Sequence, residues 1–427
     1  MTTETLHNKF LQCTGVSTDT RSITVDQLFF CLQGPNFNAN ALAQKALEAG
    51  AKYVVLDDEK YYQADNEQHI LVEDSLVALQ ELANYHRNYV KPIIISMTGS
   101  NGKTTTKELI HAVLKEKFDT IATIGNLNNH IGIPLTLLRL TKDTQIGIVE
   151  MGANHQKEIE SLCKIAQPDF GYITNFGKAH LEGFGGIDGV IKGKSELYDY
   201  LQSANKKAFV RYDDPIQFEK SKAFDHISFS FDVNDRAEFH FTSGKNDGLI
   251  SIKYNQTEIH SNLSGIYNLP NIAAAITIGL YFSIEIDKIK HAIEHYYPTN
   301  NRSQWMKFGT NDILMDAYNA NPSSMKVSIE NFTVLDMKNK IMVLGDMFEL
   351  GEYSDIEHQN IIQQVVDSKI KCYFIGNHFF ANKKEHQQLN FYPTYEEFAE
   401  NFSINDLNEA TVLIKGSRGM ALERTIK

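Results

Sequence analysis

The amino-acid sequence predicts an α/β protein with about three domains. The chain has 427 residues, and a domain averages roughly 150 residues. Short apolar runs alternate with amphipathic helical segments, which is the pattern of a parallel sheet covered by helices. Proline-containing interruptions near residues 90–92 and 298–301 divide the chain into units of residues 1–88, 89–299 and 300–427.

Composition excludes several classes of protein. Hydrophobic residues make up 42% and charged residues 22% of the chain, so a largely disordered protein is excluded. The 41 basic and 53 acidic residues give a net charge of −12, which argues against general nucleic-acid binding. No apolar run reaches about 18 residues and no secretory signal pattern is present, so we expect a cytoplasmic protein without membrane insertion.

The cysteines show no metal or disulfide pattern. They are far apart in the sequence and form no CxxC pair, so we expect reduced thiols. They are Cys13, Cys31, Cys163 and Cys372.

The N-terminal unit, residues 1–88, mixes strands and helices. Its β-type runs are Leu28 to Leu32, Tyr53 to Leu56 and Ile70 to Val72. The segment ANALAQKALEAGA has helical apolar spacing, and a second helix is expected from Ser75 to about Asn88. The unit is therefore predicted to be a small α/β domain.

The central and C-terminal units alternate strands with helices. After Pro92 the strand IIIS leads into MTGSNGKTTT and then a helix whose apolar face is Leu109, Ile110, Val113, Leu114 and Phe118. Further strands are expected at Gln145 to Glu150 and at Phe170 to Thr174, followed by β-type alternation over residues 208–259 and the helical segment PNIAAAITIGLYF. The C-terminal unit has the strand candidates ILMDAY, KIMVLGD, CYFIG and TVLIKG.

A glycine-rich segment, GSNGKTT from Gly99 to Thr105, lies between a predicted strand and a predicted helix. In that context backbone N–H groups and the helix N-terminus attract phosphate oxygens. Lys103 is placed to reach terminal phosphates, and Thr104 to offer its hydroxyl to Mg²⁺. Two residues separate the glycines where the common pattern has four, and the competing interpretation is a turn with a surface lysine.

Three polar residues downstream are candidates for the same site. Glu150 ends a predicted strand, where a carboxylate can hold a nucleotide-bound Mg²⁺. His180 follows the next strand, and Lys194 lies in a predicted helix. Solvent-exposed side chains are the alternative for each, and residue type alone does not separate the two interpretations.

A series of segments resembles the Mur ligase family across essentially the whole chain. The segments are MTGSNGKTTTKE, GNLNNHIGIPLTLL, VEMGANHQKEI, TNFGKAHLEGFGG, NNRSQW, MDAYNANPSSM, LGDMFELGE and IKGSRGMALE. The second, sixth and seventh are typical of the branch that adds D-alanyl-D-alanine. The resemblance implies an N-terminal domain for the UDP end of the substrate, a central P-loop-type ATPase domain with a parallel sheet, and a C-terminal Rossmann-like domain.

The resemblance also assigns residues to ATP and metal. The ATP phosphates are expected at Gly99, Ser100, Asn101, Gly102, Lys103, Thr104 and Thr105. Asn268 and Asn271 match the segment beside the adenine, with Tyr267 where the family usually has histidine. Arg302 and Asp316 match residues that close over ATP from the C-terminal domain. The expected metal ligands are Thr104, Glu150, His180 and Lys194, the last as a carbamate formed with CO₂.

Substrate contacts are implied in all three units. Asp19, Thr20 and Arg21 resemble the segment near the uridine, with threonine in place of serine, and the remaining expected contacts are Asn128, Asn129, Tyr318 and Asn319. Lys415 and Arg418 either hold the dipeptide carboxylate or form a basic surface loop. Asp346 and Glu349 are either structural or orient the incoming amine.

The implied activity is ATP-dependent amide formation through an acyl phosphate, which joins D-alanyl-D-alanine to UDP-N-acetylmuramoyl-tripeptide. ATP and two Mg²⁺ ions are the expected cofactors, and a monomer is the expected state. The expected catalytic residues are Lys103, Glu150, His180, Lys194 and Arg302. The alternatives are another amino-acid ligase of the superfamily, such as a folylpolyglutamate synthase-like enzyme, and a non-catalytic nucleotide-binding regulator.

Overall fold

The structure is a computed structural model that describes residues 1–244, 249–298 and 301–426. The predicted boundary at residues 299 and 300 lies outside the described residues. Three parallel or mostly parallel sheets follow one another along the chain. One apolar cluster runs through all three, from Leu28 in the first to Ile94 in the second and Phe374 in the third. The three sheets therefore share a continuous core.

The first sheet has four parallel strands in the order β1-β2-β5-β6, and β3 and β4 form a separate antiparallel hairpin. The central strand LFF is buried throughout because both faces of the sheet are covered. The strands are β1 (Val16–Ser17), β2 (Leu28–Phe30), β3 (Gln33–Gly34), β4 (Phe37–Asn38), β5 (Tyr53–Leu56) and β6 (His69–Leu71). The helices are α1 (Thr3–Phe10), α2 (Ala43–Glu48) and α3 (Ser75–Val90).

Helix α3 joins the first sheet to the second. It begins at Asp74, whose carboxylate accepts the backbone N–H groups of Leu76 and Val77. Farther along the helix, Gln80 donates to the carbonyl of His130 at 3.0 Å. Its last turn carries Arg87, which pairs with Asp169 at 2.9 Å. The predicted boundary at residue 88 therefore falls inside a helix that is bonded to the central unit.

The second sheet has seven parallel strands in the order β13-β12-β11-β10-β7-β9-β8. A small antiparallel sheet, β14-β15-β16, follows it. The strands are β7 (Ile93–Thr98), β8 (Thr120–Ala122), β9 (Ile146–Glu150), β10 (Phe170–Ile173), β11 (Lys207–Arg211), β12 (His226–Ser230), β13 (Phe239–His240), β14 (Thr242–Ser243), β15 (Leu249–Tyr254) and β16 (Thr257–Ser264). The helices are α4 (Lys103–Leu114), α5 (Gly132–Leu137), α6 (Glu158–Ala166), α7 (Leu181–Phe184), α8 (Ile187–Ser203), α9 (Pro215–Ser221), α10 (Leu269–Tyr281) and α11 (Ile286–Glu294).

The third sheet has six strands in the order β17-β18-β22-β19-β20-β21, with β17 antiparallel at one edge. The strands are β17 (Gln304–Phe308), β18 (Asn311–Asp316), β19 (Lys340–Gly345), β20 (Lys371–Ile375), β21 (Leu389–Tyr392) and β22 (Thr411–Lys415). The helices are α12 (Pro322–Val334), α13 (Ser354–Ser368), α14 (Asn377–Ala381) and α15 (Tyr395–Asn401).

The structure confirms the α/β class and the parallel sheets, and it adds strands that the sequence did not predict. Strand β17 was missed because it is a half-buried edge strand without a continuous apolar run. On α4 the predicted apolar face is buried at Leu109, Ile110, Val113 and Leu114. The prediction was wrong for Phe118, which lies beyond the end of α4 at Leu114 and is only partly buried. All four cysteines are free thiols. No helix among the described residues is long and apolar enough to cross a bilayer.

Candidate active site

A large cleft lies between the second and third sheets, at the carboxyl ends of their parallel strands. Its volume is about 1290 Å³, and its lining includes the phosphate-loop residues 100–105 and the segment 318–321. Ligands of open α/β sheets bind at this end of the strands. The cleft is therefore where the predicted ATP residues and the C-terminal residues meet.

The phosphate loop requires its two glycines. Gly99 has a φ of +141°, and a Cβ there would lie 2.0 Å from the hydroxyl oxygen of Thr174. Gly102 has a φ of +78° and is the N-cap of α4. The backbone N–H of Asn101 donates to the side-chain oxygen of Asn175 at 3.1 Å, which fixes the loop to the end of β10. The helix N-terminus is thereby presented to the cleft, as phosphate binding requires.

Lys103, the first residue of α4, curls back over the loop. Its Nζ donates to the carbonyl of Gly99 at 2.8 Å. Burial lowers the pKa of Lys103, the Glu150 carboxylate partly offsets that effect, and Arg302 lowers the pKa further. Lys103 and Arg302 thus face the cleft from its two sides, and an anion bound between them would offset their repulsion.

Glu150 and Thr104 form the part of the site that could hold a metal ion. Glu150 is 2% exposed, and one carboxylate oxygen accepts the Thr104 hydroxyl at 2.8 Å. The other oxygen accepts the side-chain amide of Asn128 at 2.9 Å. Within the described ranges Glu150 forms no ion pair, and a buried carboxylate is costly without a cation. A hydroxyl and a carboxylate are oxygen ligands of the kind that Mg²⁺ prefers, so these residues fit that ion.

His180 and Lys194 lie near the cleft but have separate partners. His180 hydrogen-bonds through Nδ1 to the carboxylate of Glu349 in the third domain. Lys194 has no exposed surface, and its Nζ donates to the carbonyl of Ala153 at 3.1 Å. Burial, and then repulsion by Lys103, hold the pKa of Lys194 well below its ordinary value.

No three His, Cys, Asp or Glu side chains among the described residues form a group that could hold a metal ion. An ammonium does not ligate a cation. A second metal site at His180 therefore depends on a change in the chemistry of Lys194.

The C-terminal wall of the cleft is organised around Asp316. Its carboxylate accepts the backbone N–H of Ser303 at 3.1 Å and pairs with Lys415 at 2.6 Å. Arg302 lies with its guanidinium carbon 3.5 Å from the centre of the Tyr318 ring. Asn319 also lines the cleft. The structure therefore brings together all four C-terminal residues that the resemblance assigned.

The predicted adenine residues lie at the start of α10. Asn271 donates to the side-chain oxygen of Asn268 at 2.8 Å, and both are buried. Gly102 lies directly against Asn271, since a Cβ there would be 2.7 Å from its oxygen. Tyr267 donates to or accepts from Ser303 at 2.9 Å, so this position links the central and C-terminal units.

Three further contacts join the two sides of the cleft. Asn321 donates from its side-chain amide to the side-chain oxygen of Asn101 at 2.7 Å. Lys178 donates its backbone N–H to Ser323 at 2.8 Å and pairs through Nζ with Glu357 at 2.6 Å. The phosphate loop and the loop after β10 are therefore both bonded to the third domain.

The structure answers two questions that the sequence left open. Lys415 is 2% exposed and engaged by Asp316, so it is not part of a basic surface loop. Asp346 accepts the backbone N–H groups of His378 and Phe379 at 2.9 Å each, and so caps α14. These bonds give Asp346 a structural contact, whereas Glu349 lines a smaller cavity beside His180.

The N-terminal candidates lie elsewhere. Asp19 and Arg21 form an exposed ion pair at 2.7 Å, and neither they nor Thr20 line the cleft. The arginine lowers the pKa of Asp19 to about 2.

Asn129 lines the cleft, but its side-chain oxygen accepts the backbone N–H groups of Ile131 and Gly132 at the start of α5.

Asn175 was missed from the sequence. Its side chain binds both the N–H and the carbonyl of Asn101, the latter at 2.9 Å. The available signal was its place directly after a predicted strand, in TNFGKAH, which is where parallel-sheet proteins position ligand-binding groups.

Comparison with known proteins agrees with this architecture. Residues 97–279 match the Mur ligase middle domain, and residues 301–418 match the domain described as Mur ligase, glutamate ligase domain. The UDP-N-acetylmuramoyl-tripeptide–D-alanyl-D-alanine ligase of Bacillus subtilis is 33% identical, over 97% of this chain and 92% of that protein.

Two solved structures are similar over nearly the full length. MurF from Acinetobacter baumannii superposes with a TM-score of 0.86 at 27% identity, covering 99% of this chain and 97% of that one. MurF ligase from Thermotoga maritima, solved in complex with ADP, has a TM-score of 0.84 at 25% identity, with 97% and 96% covered. With the full-length match in sequence and fold, the chain belongs to the Mur ligase family.

Proposed function

We propose that this chain is an ATP-dependent, ADP-forming ligase that joins D-alanyl-D-alanine to UDP-N-acetylmuramoyl-tripeptide in peptidoglycan precursor synthesis. The observation that carries the proposal is the 2.7 Å hydrogen bond between Asn321 and Asn101. It places the segment DAYNANPSSM, typical of the D-alanyl-D-alanine branch, directly on the phosphate loop. The full-length similarity to the Bacillus subtilis ligase of that name supports the same substrates.

The first half of the reaction is phosphoryl transfer. An amide cannot form readily from a carboxylate in water, so the tripeptide carboxylate attacks the γ-phosphate of ATP and gives an acyl phosphate and ADP. Catalysis of such a step is mostly positioning and neutralisation of charge. Lys103 and Arg302 supply the positive charge, and the loop from Gly99 to Thr105 supplies backbone donors.

Magnesium is the cation that the Thr104 hydroxyl and the Glu150 carboxylate fit. When bound, it neutralises the phosphate oxygens that meet the incoming carboxylate. We extend this to a second ion at His180 and a carbamate on Lys194. A carbamate forms only from a neutral amine, and burial, which holds the pKa of Lys194 well below its ordinary value, favours that form.

The second half of the reaction brings in the dipeptide, whose amine attacks the acyl phosphate and releases phosphate. A smaller cavity of about 160 Å³ adjoins the cleft and contains Phe348, Glu349 and Arg418. D-Alanyl-D-alanine carries an ammonium and a carboxylate at opposite ends. We assign the ammonium to Glu349 and the carboxylate to Arg418, because both line this cavity, whereas Lys415 lines only the larger cleft.

The remaining expectations are proposals of the same kind. The N-terminal sheet, with Asp19 to Arg21, binds the UDP end of the substrate, and the enzyme acts as a cytoplasmic monomer. We also propose domain limits of residues 1–88, 89–299 and 300–427. Among the described residues, the buried carboxylate of Glu150 has no ion-pair partner. A non-catalytic regulator would not need such a carboxylate, so that alternative is disfavoured.

Phosphate release from ATP and Mg²⁺ tests the proposal. We expect release that depends on both UDP-N-acetylmuramoyl-tripeptide and D-alanyl-D-alanine, with the pentapeptide product detected by mass. Glutamate and diaminopimelate serve as control acceptors. Release that responds to glutamate and not to D-alanyl-D-alanine would move the chain to the folylpolyglutamate synthase-like alternative.

A further inference from the structure

Lys107 is a buried cation on the phosphate-loop helix that the chemistry above does not use. Its side chain has no exposed surface. Its Nζ donates to the carbonyl of Thr123 at 2.6 Å and pairs with the carboxylate of Glu108 at 2.9 Å. Burying an ammonium costs free energy even when it is paired and hydrogen-bonded. The partners of the Lys107 ammonium therefore bear on how the site is held together.

Thr123 connects Lys107 to the metal-facing glutamate. It follows β8, and its side-chain oxygen accepts the backbone N–H of Glu150 at 3.0 Å. Its own backbone N–H donates to the carbonyl of Ile148 in β9 at 3.0 Å. The ammonium of Lys107 thus holds, through one residue, the end of the strand that carries Glu150.

The same helix also holds the Glu150 side chain. Thr104 lies one turn before Lys107 on α4 and donates to one carboxylate oxygen at 2.8 Å. Asn128, in the loop that Thr123 begins, donates to the other at 2.9 Å. Helix α4 therefore reaches Glu150 by two routes, to the carboxylate through Thr104 and to the backbone through Lys107 and Thr123.

We propose that Lys107 is a positioning residue for the nucleotide-bound cation, because its bond to Thr123 sets the spacing between the Thr104 hydroxyl and the Glu150 carboxylate. This inference rests on the proposed function, in which that pair binds Mg²⁺. Mg²⁺ tolerates little departure from octahedral geometry. Loss of a partner that orients a ligand typically costs about 10- to 100-fold in metal affinity.

Two substitutions test the route. Lys107→Met keeps an unbranched side chain of similar length and removes the ammonium, and Thr123→Val keeps the shape and removes the oxygen that accepts the Glu150 N–H. The readout is the Mg²⁺ concentration that half-saturates Mg²⁺-dependent binding of a fluorescent ADP analogue to the full-length protein. We expect each variant to raise it at least about 10-fold, and Thr123→Ser to restore the wild-type value.

A second readout needs no metal. Hydrogen exchange at the Glu150 amide should be faster in both Lys107→Met and Thr123→Val, because the bond from that N–H is weakened or lost. The double variant should be no worse than the stronger single variant, since both changes interrupt one route.

Thr106→Val is the matched control. Thr106 is buried on the same helix, and its hydroxyl has no hydrogen-bond partner among the residues described. It should leave the Mg²⁺ half-saturation and the exchange rate unchanged.

The proposal is overturned if Lys107→Met lowers the melting temperature while its Mg²⁺ half-saturation stays within twofold of Thr106→Val, because Lys107 would then serve the core alone. If Lys107→Met does not fold, Thr123→Val is judged by the same criterion. Neither readout involves the acceptor, so failure of the proposed D-alanyl-D-alanine reaction would be seen separately in the phosphate-release assay.

Discussion

The hydrogen bond between Asn321 and Asn101 provides the sharpest test of how the cleft closes. Asn321 has two roles: its side-chain nitrogen donates to Asn101 at 2.7 Å, and its side-chain oxygen caps α12 by accepting the N–H of Ser324 at 2.9 Å. Asn321→Ser separates them. Serine caps a helix about as well as asparagine but is too short to reach across the cleft.

The magnitude follows from the loss of one partly buried hydrogen bond. Removing it and leaving the side-chain oxygen of Asn101 unpaired costs about 1–2 kcal/mol. This corresponds to roughly a 5- to 30-fold smaller population of the closed form, since about 1.4 kcal/mol is a factor of ten. Closure assembles the site before chemistry, so kcat/KM for ATP should fall by the same factor while the melting temperature changes little.

A stability-only variant supplies the control. Thr394 caps α15 in the same domain by accepting the N–H of Glu397 at 3.2 Å, and it does not line the cleft. Thr394→Ala should cost about 1 kcal/mol of stability and leave kcat/KM unchanged. If Asn321→Ser loses less than twofold in kcat/KM, or if the two variants behave alike, the contact does not govern closure.

Three further predictions follow from the site and from the first helix. Lys103→Ala should abolish ATP turnover because the phosphate loop loses its cation, and full ligase activity in that variant would contradict the assignment. Removal of CO₂ should lower wild-type turnover and bicarbonate should restore it, whereas Lys194→Gln should be inactive in both conditions. His7 lies 3.0 Å from His86, and burial and then that neighbour lower its pKa from 6.5 to about 4. The unfolded state binds the proton more readily, so the free energy of unfolding should reach its full value above pH 6.5 and fall between pH 6.5 and about 4. Chemical denaturation against pH should show this decline. His7→Phe should make the decline shallower without removing it, because burial also lowers the pKa values of His86, His111 and His358.

The phosphate loop could be predicted from sequence because everything that defines it is local. Gly99, Gly102, Lys103 and Thr104 lie within seven consecutive residues, from Gly99 to Thr105, between an apolar strand and an amphipathic helix. The positive φ values at both glycines and the helix beginning at Lys103 are consequences of that short pattern. The position of Glu150 at the end of a predicted strand likewise identified it as a candidate for the site.

The contacts that assemble the cleft could not be predicted in this way. Asn101 meets Asn175 from the next strand and Asn321 from another sheet, and those pairings depend on how two sheets face each other. No local pattern encodes that arrangement. The position of Pro92 shows the same limit of local sequence. It marks the end of α3, but it does not show that Arg87 on that helix is bonded to Asp169 in the central unit.

Helix α4 shows how core and site depend on each other. Its apolar positions Leu109 and Ile110 are fully buried and set its register against the second sheet. Its other positions, Lys103, Thr104 and Lys107, are thereby carried to the phosphate loop, the Glu150 carboxylate and the end of β8. Sequence periodicity identified the apolar positions but left Lys107 unassigned, because a lysine on an amphipathic helix is usually solvated. It is buried here because its ammonium meets the carboxylate of Glu108, on the helix itself, and the carbonyl of Thr123, after β8. The second contact comes from outside the helix, so helical periodicity does not reveal it.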